Sequence, residues 1–416
     1  MEKRVTVGLF GINGLYNFGC EAIVRGTYRL IKEALPNSRV VFYTFSVAHD
    51  RPIVSDLDID VKPVPVLRFQ FPRRATNKVL QLLSLDTRLP FRDPRPVIEE
   101  CDIVFSVGGD IYTIPEYSIK RGTEIPFNHL VEFGRVIVRH RPMVVWGASI
   151  GPFGEKRKVK DYFFDHLKDM KVIFCREKRT YDYLQTNGLE NVYMAPDPAF
   201  YVLEENRKIT TSKKSTRTIG LNLSPLSVVE TQGTNSVSFT GSVVSLIKEL
   251  CAIPRTEVLL IPHVVSPFSQ NDNDLFFLEK IYDSLPSPLR DRVKIVDNKG
   301  YLGTKAFLRQ CDVVVAARMH CAINAVCEGV PTIFLSYSQK AKGMAEFVYG
   351  SDHWVVPLNK MLQGVPLLVH EMLEKHQSIV SLLNSRLEDI KRERSAAVTE
   401  IKALLCDSSI RNRTNS

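Results

Sequence analysis

The chain has no apolar run near the roughly 18 residues that a membrane-crossing helix needs. Its opening Met1-Glu-Lys-Arg leads into an apolar strand rather than the apolar stretch of a signal peptide, so a cytoplasmic protein is expected. Cysteine is scattered: the eight residues show neither C-x-x-C spacing nor clustering with histidine, which predicts reduced core thiols and no metal site. No strand shows the aromatic pattern of an RNA-binding sheet and the basic residues are dispersed, so no nucleic-acid partner is expected. Internal repeats and low-complexity tracts are also missing.

What is present is ordinary globular composition, 44% hydrophobic and 24% charged, in 416 residues, enough for two domains. The net charge of +9 suits an acidic small molecule or an anionic membrane surface without choosing between them. Continuous apolar, β-branched runs alternate with helical stretches, as parallel sheets covered on both faces require. In the first half the expected strands are residues 5–10, 40–45, 61–66, 103–107, 144–146 and 172–175; in the second, 219–223, 258–262, 293–296, 313–316, 332–335 and 354–357. A polar Lys/Ser/Thr-rich stretch separates the halves. The expected organisation is an N-terminal Rossmann-like domain over 1–205, a linker over 206–217, a C-terminal Rossmann-like domain over 218–360, and a helical tract over 361–416 with a disordered tail. Such halves usually bind ligands in the cleft that faces the strand carboxyl ends, so motifs there carry most weight.

The strand Val313 to Ala316 ends in Ala317-Arg318-Met319-His320 at the start of a helix. Helix-terminal N–H groups favour anions, Arg318 adds a fork of donors, and His320 can move a proton near neutral pH. An ion pair between Arg318 and a carboxylate distant in sequence is the other reading. Gly8 to Gly19 fits neither the dinucleotide fingerprint nor a P-loop, since Cys20-Glu21 stands where Lys-Ser/Thr is required. That loop either brings Asn17 and backbone N–H groups to a ligand or only makes a tight turn, with Glu21 favouring the helix start. Gly108-Gly109-Asp110 allows close approach of a ligand, with Asp110 holding or deprotonating a sugar hydroxyl or else capping a helix. Arg176, after an apolar strand, reads as a second anion clamp or as a salt-bridge partner of its surroundings. His263, Asn222 and Ser224 stand at further strand ends, the two polar residues expected to be exposed.

Taken together, Asn17-Phe-Gly-Cys-Glu-Ala22, Ser106-Val-Gly-Gly-Asp110, Gly147-Ala-Ser-Ile-Gly-Pro152, Cys175-Arg-Glu177, Pro196-Asp-Pro-Ala-Phe200, Arg318-Met-His320, Gly329-Val-Pro331 and Tyr337-Ser-Gln-Lys340 occur in an order that resembles the polysaccharide pyruvyl transferase family. Cys20 departs from the pattern, since the family often has Asp there. The resemblance implies two Rossmann-like domains facing each other across a cleft, as in GT-B glycosyltransferases. It also implies transfer of a pyruvyl group from phosphoenolpyruvate to hydroxyls of a saccharide, as a ketal, with phosphate release. On this reading His320 and Asp110 are catalytic, Arg318, Arg176, Lys340 and Gly109 bind the donor, and Asn17, Glu21, Ser149 and His263 bind the acceptor. No cofactor or metal is implied beyond phosphoenolpyruvate as co-substrate, and the acceptor is lipid-linked or nucleotide-linked. Two rivals stay open: a glycosyltransferase using a nucleotide sugar, and a catalytically silent carbohydrate-binding protein. The basic and apolar stretch from Arg68 to Arg92 reads either as a solvated helix packed on its domain, the preferred reading, or as a peripheral contact with the inner face of the plasma membrane.

Overall fold

The computed structural model describes residues 4–83, 85, 88–202, 215–230, 236–336 and 339–406. The chain divides into two compact units, each built on one wholly parallel sheet. Unit 1 contains residues 1–14, 23–198 and 393–416; unit 2 contains residues 15–22 and 199–392.

In unit 1 the strands β1 (Thr6–Phe10), β2 (Arg39–Thr44), β3 (Ile59–Pro63), β4 (Ile103–Ser106), β5 (Met143–Ala148), β6 (Val172–Cys175) and β7 (Val192–Met194) lie in the order β3-β2-β1-β4-β5-β6-β7. The central strands β1, β4, β5 and β6 are buried along their whole length, which is why they read as unbroken apolar runs. Strand order reverses between β1 and β4, the switch point of this sheet, where Gly11 and Gly108 pack closely against each other and Ile111.

Unit 2 repeats the plan with β8 (Arg217–Asn222), β9 (Thr256–Leu260), β10 (Val293–Ile295), β11 (Val313–Ala316), β12 (Thr332–Ser336) and β13 (Val355–Pro357), ordered β10-β9-β8-β11-β12-β13. Its switch point lies between β8 and β11. The expected strands are all found, with ends shifted by at most three residues, and β7 is additional. Two helices, Met361–Glu374 and His376–Cys406, form the C-terminal tract.

Two sequence boundaries need correction. Residues 15–22 follow β1 but belong to unit 2: Phe18 N donates to His263 O at 3.0 Å, Val265 N to Tyr16 O at 2.9 Å, and Asn17 forms an antiparallel bridge with Val264. These backbone bonds outweigh adjacency in sequence. The helical tract is likewise shared, because from Glu393 onward it belongs to unit 1, where Arg394 pairs with Glu33. Residues 206–214 of the expected linker (206–217) and the tail (407–416) lie outside the described residues. Cys101, Cys175, Cys251, Cys311, Cys321 and Cys327 are buried thiols, and burial pushes Cys101 up to about 11 and Cys175 up to about 12.

Candidate functional site

In unit 2 the site is assembled where β8, β9 and β11 end together. Asn222, fully buried at the end of β8, ties the three: its Nδ2 donates to Ile261 O at 2.9 Å and its Oδ1 accepts from Arg318 N at 2.9 Å. Asn222 and Ser224 are therefore not the exposed groups expected from sequence; Ser224 is buried against the Ser227 hydroxyl. Arg318 is the N-cap of the helix Met319–Cys327. Helical geometry puts His320 in the first turn, half-buried at the sheet's carboxyl edge.

Arg318 is not an uncompensated cation. Its Nε and Nη2 donate to Asp274 Oδ1 at 3.2 and 2.8 Å, and Nη2 also donates to Asp272 Oδ1 at 2.5 Å. Burial opposes the guanidinium charge, but Asp274 and Asp272 more than offset this and raise its pKa. The ion-pair reading is thus realised, with partners the sequence did not reveal. The two carboxylates differ in setting. Asp274 is fully buried and accepts from the backbone N–H groups of His263 and Val264 at 3.1 and 3.0 Å, whereas Asp272 is 45% exposed. Both arise from the run Gln270-Asn-Asp-Asn-Asp274, where Asn273 caps the helix Asp274–Asp283 through Phe276 N. The same loop walls a 380 Å³ cavity lined by Ser266, Phe268, Gln270, Asn273, Phe276 and Glu279, a volume within the range of small-ligand sites. Phe268 is 63% exposed there and meets Tyr16 edge to face.

Gly19 explains why the Asn17 loop is packed here. A Cβ at Gly19 would lie 2.5 Å from His320 Cβ and 2.6 Å from its Cγ, so only glycine lets the loop approach the histidine. Asn17 is a cap, with Oδ1 accepting from Gly19 N at 3.0 Å, and Glu21 is buried in the first turn of the helix Phe18–Ala34. His263 is also buried. Its Nε2 meets Asn324 Nδ2 at 2.7 Å and its ring packs on Phe18; burial, with the charges of His320 and Arg318 adding, holds it well below the usual histidine range and so neutral. Of the three expected acceptor residues, Glu21 and His263 are thus buried, whereas Asn17 is half-buried with its Oδ1 engaged in the turn. Lys340 is half-buried in the first turn of the helix Gln339–Tyr349, after β12.

Unit 1 presents Arg176, Ser149, Gly109 and Asp110 at its own strand ends. Arg176 is wholly buried: Nη1 donates to Asp197 Oδ2 at 2.8 Å, and Nε and Nη2 donate to Ser149 Oγ at 3.2 and 2.7 Å. Ser149 Oγ in turn donates to Glu177 Oε1 at 2.8 Å. Burial opposes the Arg176 charge, yet Asp197, Glu177 and Asp110 raise its pKa overall. Arg176 is therefore not an open donor clamp, nor Ser149 an open acceptor contact. Gly109 O accepts from Ser149 N at 3.0 Å, and a Cβ at Gly109 would stand 3.4 Å from Arg176 Nη1. Asp110 is exposed in the turn after β4 and caps no helix. Asp197 was missed as a site residue, although it lies within the quoted Pro196-Asp-Pro motif.

The sequence profile of the polysaccharide pyruvyl transferases matches residues 17–339. The chain belongs to that family. As a polysaccharide pyruvyl transferase family protein it is a transferase of polysaccharide biosynthesis. Solved structures share its fold: a putative UDP-N-acetylglucosamine 2-epimerase from Listeria monocytogenes, at 12% identity and TM-score 0.59, covers 97% of this chain and 98% of its own. Anabaena HepE in complex with UDP-glucose is 13% identical with TM-score 0.56, covering 98% of this chain and all of that one (100%). A glycosyltransferase from Rickettsia africae is 10% identical with TM-score 0.57, covering 98% and 100%. At such identities the likeness carries the fold alone: this pyruvyl transferase family chain has two parallel α/β units of the GT-B type.

Proposed function

We propose that the protein transfers the pyruvyl group of phosphoenolpyruvate to two hydroxyls of a saccharide, forming a ketal and releasing phosphate, with His320 as the proton donor. The observation that carries the reading is the placement of His320 on the first turn of the helix Met319–Cys327, beside a guanidinium held rigidly at the switch point of unit 2. A saccharide hydroxyl oxygen bonds to C2 of phosphoenolpyruvate while His320 delivers a proton to C3, converting the methylene to a methyl, and the proton lost by that hydroxyl returns to His320. The C2–O bond to phosphate then breaks, leaving an oxocarbenium ion, and the second hydroxyl closes the ketal as its proton leaves with phosphate. Helix N–H groups and Lys340 favour the departing anion. Arg318 contributes through exchange: Asp274 keeps the guanidinium in place, and the exposed Asp272 is the partner that the donor's carboxylate or phosphate displaces. Phe268 offers an apolar face on which a sugar ring can stack. The acceptor would be carried on a nucleotide or lipid, and the reaction would run in the cytoplasm, where phosphoenolpyruvate is made.

The test is incubation of purified protein with phosphoenolpyruvate and candidate saccharides, following phosphate release and the pyruvyl mass increment. His320→Gln should lose roughly 10²- to 10⁴-fold in rate while melting like the parent. Full activity in that variant would remove His320 from the reaction. Thermal stabilisation by nucleotide sugars, with no response to phosphoenolpyruvate, would favour the glycosyltransferase reading instead.

A further inference from the structure

The helix Gln70–Leu82 in unit 1 is turned inside out. None of its residues is buried. The side that meets the protein is its polar one: Arg73 donates to Pro90 O at 3.2 Å, and Asn77 bonds Leu89 twice, donating to its O at 3.0 Å and accepting from its N at 2.7 Å. Arg73, Asn77 and Leu80 share one face at i, i+4, i+7 spacing, and each is only half-buried. The opposite face carries Phe71, Ala75, Val79, Leu82 and Leu83, all exposed, with Phe71 at 83% and Leu82 at 76%. Phe69, at the N-cap, is 81% exposed and held at φ 62°, a left-handed conformation unfavourable for a bulky residue. As the preferred sequence reading has it, the helix is solvated and held on its domain, but by its polar side. Amphipathic helices that serve their own domain put the apolar stripe inward, and this one does the reverse.

The charge around the face decides its occupant. Between Asp60 and Asp93 the sequence has seven basic residues (Lys62, Arg68, Arg73, Arg74, Lys78, Arg88 and Arg92) against one acidic residue, Asp86. Arg68, Arg74 and Lys78 are exposed beside the apolar stripe. Pairing with a second copy about a two-fold axis would set this basic rim against itself, whereas an anionic bilayer matches both the rim and the stripe. We propose that the helix Gln70–Leu82 is a membrane-docking element that lies in the interface of an anionic bilayer, with Phe69, Phe71, Val79, Leu82 and Leu83 inserted and Arg68, Arg74 and Lys78 at the headgroups.

The proposal is independent of the donor and is tested without turnover. The full chain should co-sediment with phosphatidylcholine vesicles containing phosphatidylglycerol and much less with phosphatidylcholine alone. Phe71→Ser with Leu82→Ser should weaken binding by roughly tenfold or more, while Arg74→Glu with Lys78→Glu should weaken it by at least about fivefold per site, more weakly as salt rises. Both native tryptophans, Trp146 and Trp354, are buried, so Phe71→Trp adds an exposed reporter whose emission should shift to the blue on anionic vesicles. Failure to bind anionic vesicles, or binding unaffected by Phe71→Ser with Leu82→Ser, would overturn the proposal. A dimer in solution that these serines dissolve, without vesicle binding, would overturn it too and identify the face as an interface between copies.

Discussion

Each unit holds an arginine just past a buried strand, and the two are neutralised differently. Arg176 of unit 1 is sealed: its carboxylate partner Asp197 is as buried as it is, and Ser149 and Glu177 close the network. Arg318 of unit 2 has one sealed partner, Asp274, and one open partner, Asp272. A fully desolvated pair can only hold structure, because breaking it leaves a buried charge. A pair with one solvent-facing partner can exchange that partner for a ligand at small cost. The difference is the ground for proposing ligand contact at Arg318 and a structural part for Arg176.

The largest expected effect comes from opening the sealed pairs. Asp197→Asn and Asp274→Asn should each lower unfolding stability by roughly 3–5 kcal/mol, read as a shift in urea midpoint. A loss under about 1 kcal/mol for Asp197→Asn would mean the Arg176 network is not sealed.

Acid should act next. His166 in unit 1 is buried against Gly134 and Tyr112, and desolvation, with Arg135 adding, holds it down to about 3. The unfolded imidazole keeps its ordinary value of 6.5 and takes up its proton first. The contribution of the neutral histidine is therefore complete above pH 6.5 and declines toward pH 3, by roughly 1.4 kcal/mol per pH unit. Urea titrations at a series of pH values should show this slope, and His166→Asn should reduce it. His263, also held neutral by burial, adds a slope of the same sign.

The smallest effect is expected at the open partner. Asp272→Asn should change stability by less than about 1 kcal/mol. It should also lower the KM for phosphoenolpyruvate by about two- to fivefold, because a competitor for the guanidinium is weakened. A raised KM would show that Asp272 supports donor binding and does not yield to it.

Much of the fold was legible because parallel strands buried on both faces must be continuous apolar runs; β1, β4 and β11 are examples. The edge strand β7 escaped because it has three residues and exposes Tyr193 and Met194, so it has no such run. The Arg318–His320 turn was legible from its place between strand and helix. Its partner Asp274 was not: it stands 44 positions away, and its pairing is fixed by how the loop after β9 folds back. Nor did the sequence show that Asn17 and Glu21 belong with unit 2, since the deciding bonds run between backbones whatever the side chains. His263 looked available because it follows a strand, yet the ring is enclosed by Phe18 and Asn324.

On the proposed mechanism His320 protonates the methylene carbon of phosphoenolpyruvate as a saccharide hydroxyl adds to C2. Running the reaction in D₂O and examining the product methyl group by mass spectrometry and NMR tests this directly. The expected product is a pyruvyl ketal whose methyl carries one solvent deuterium, formed by the parent and suppressed in a folded His320→Gln protein. A ketal with no solvent deuterium in its methyl group, or undiminished formation by His320→Gln, would contradict it.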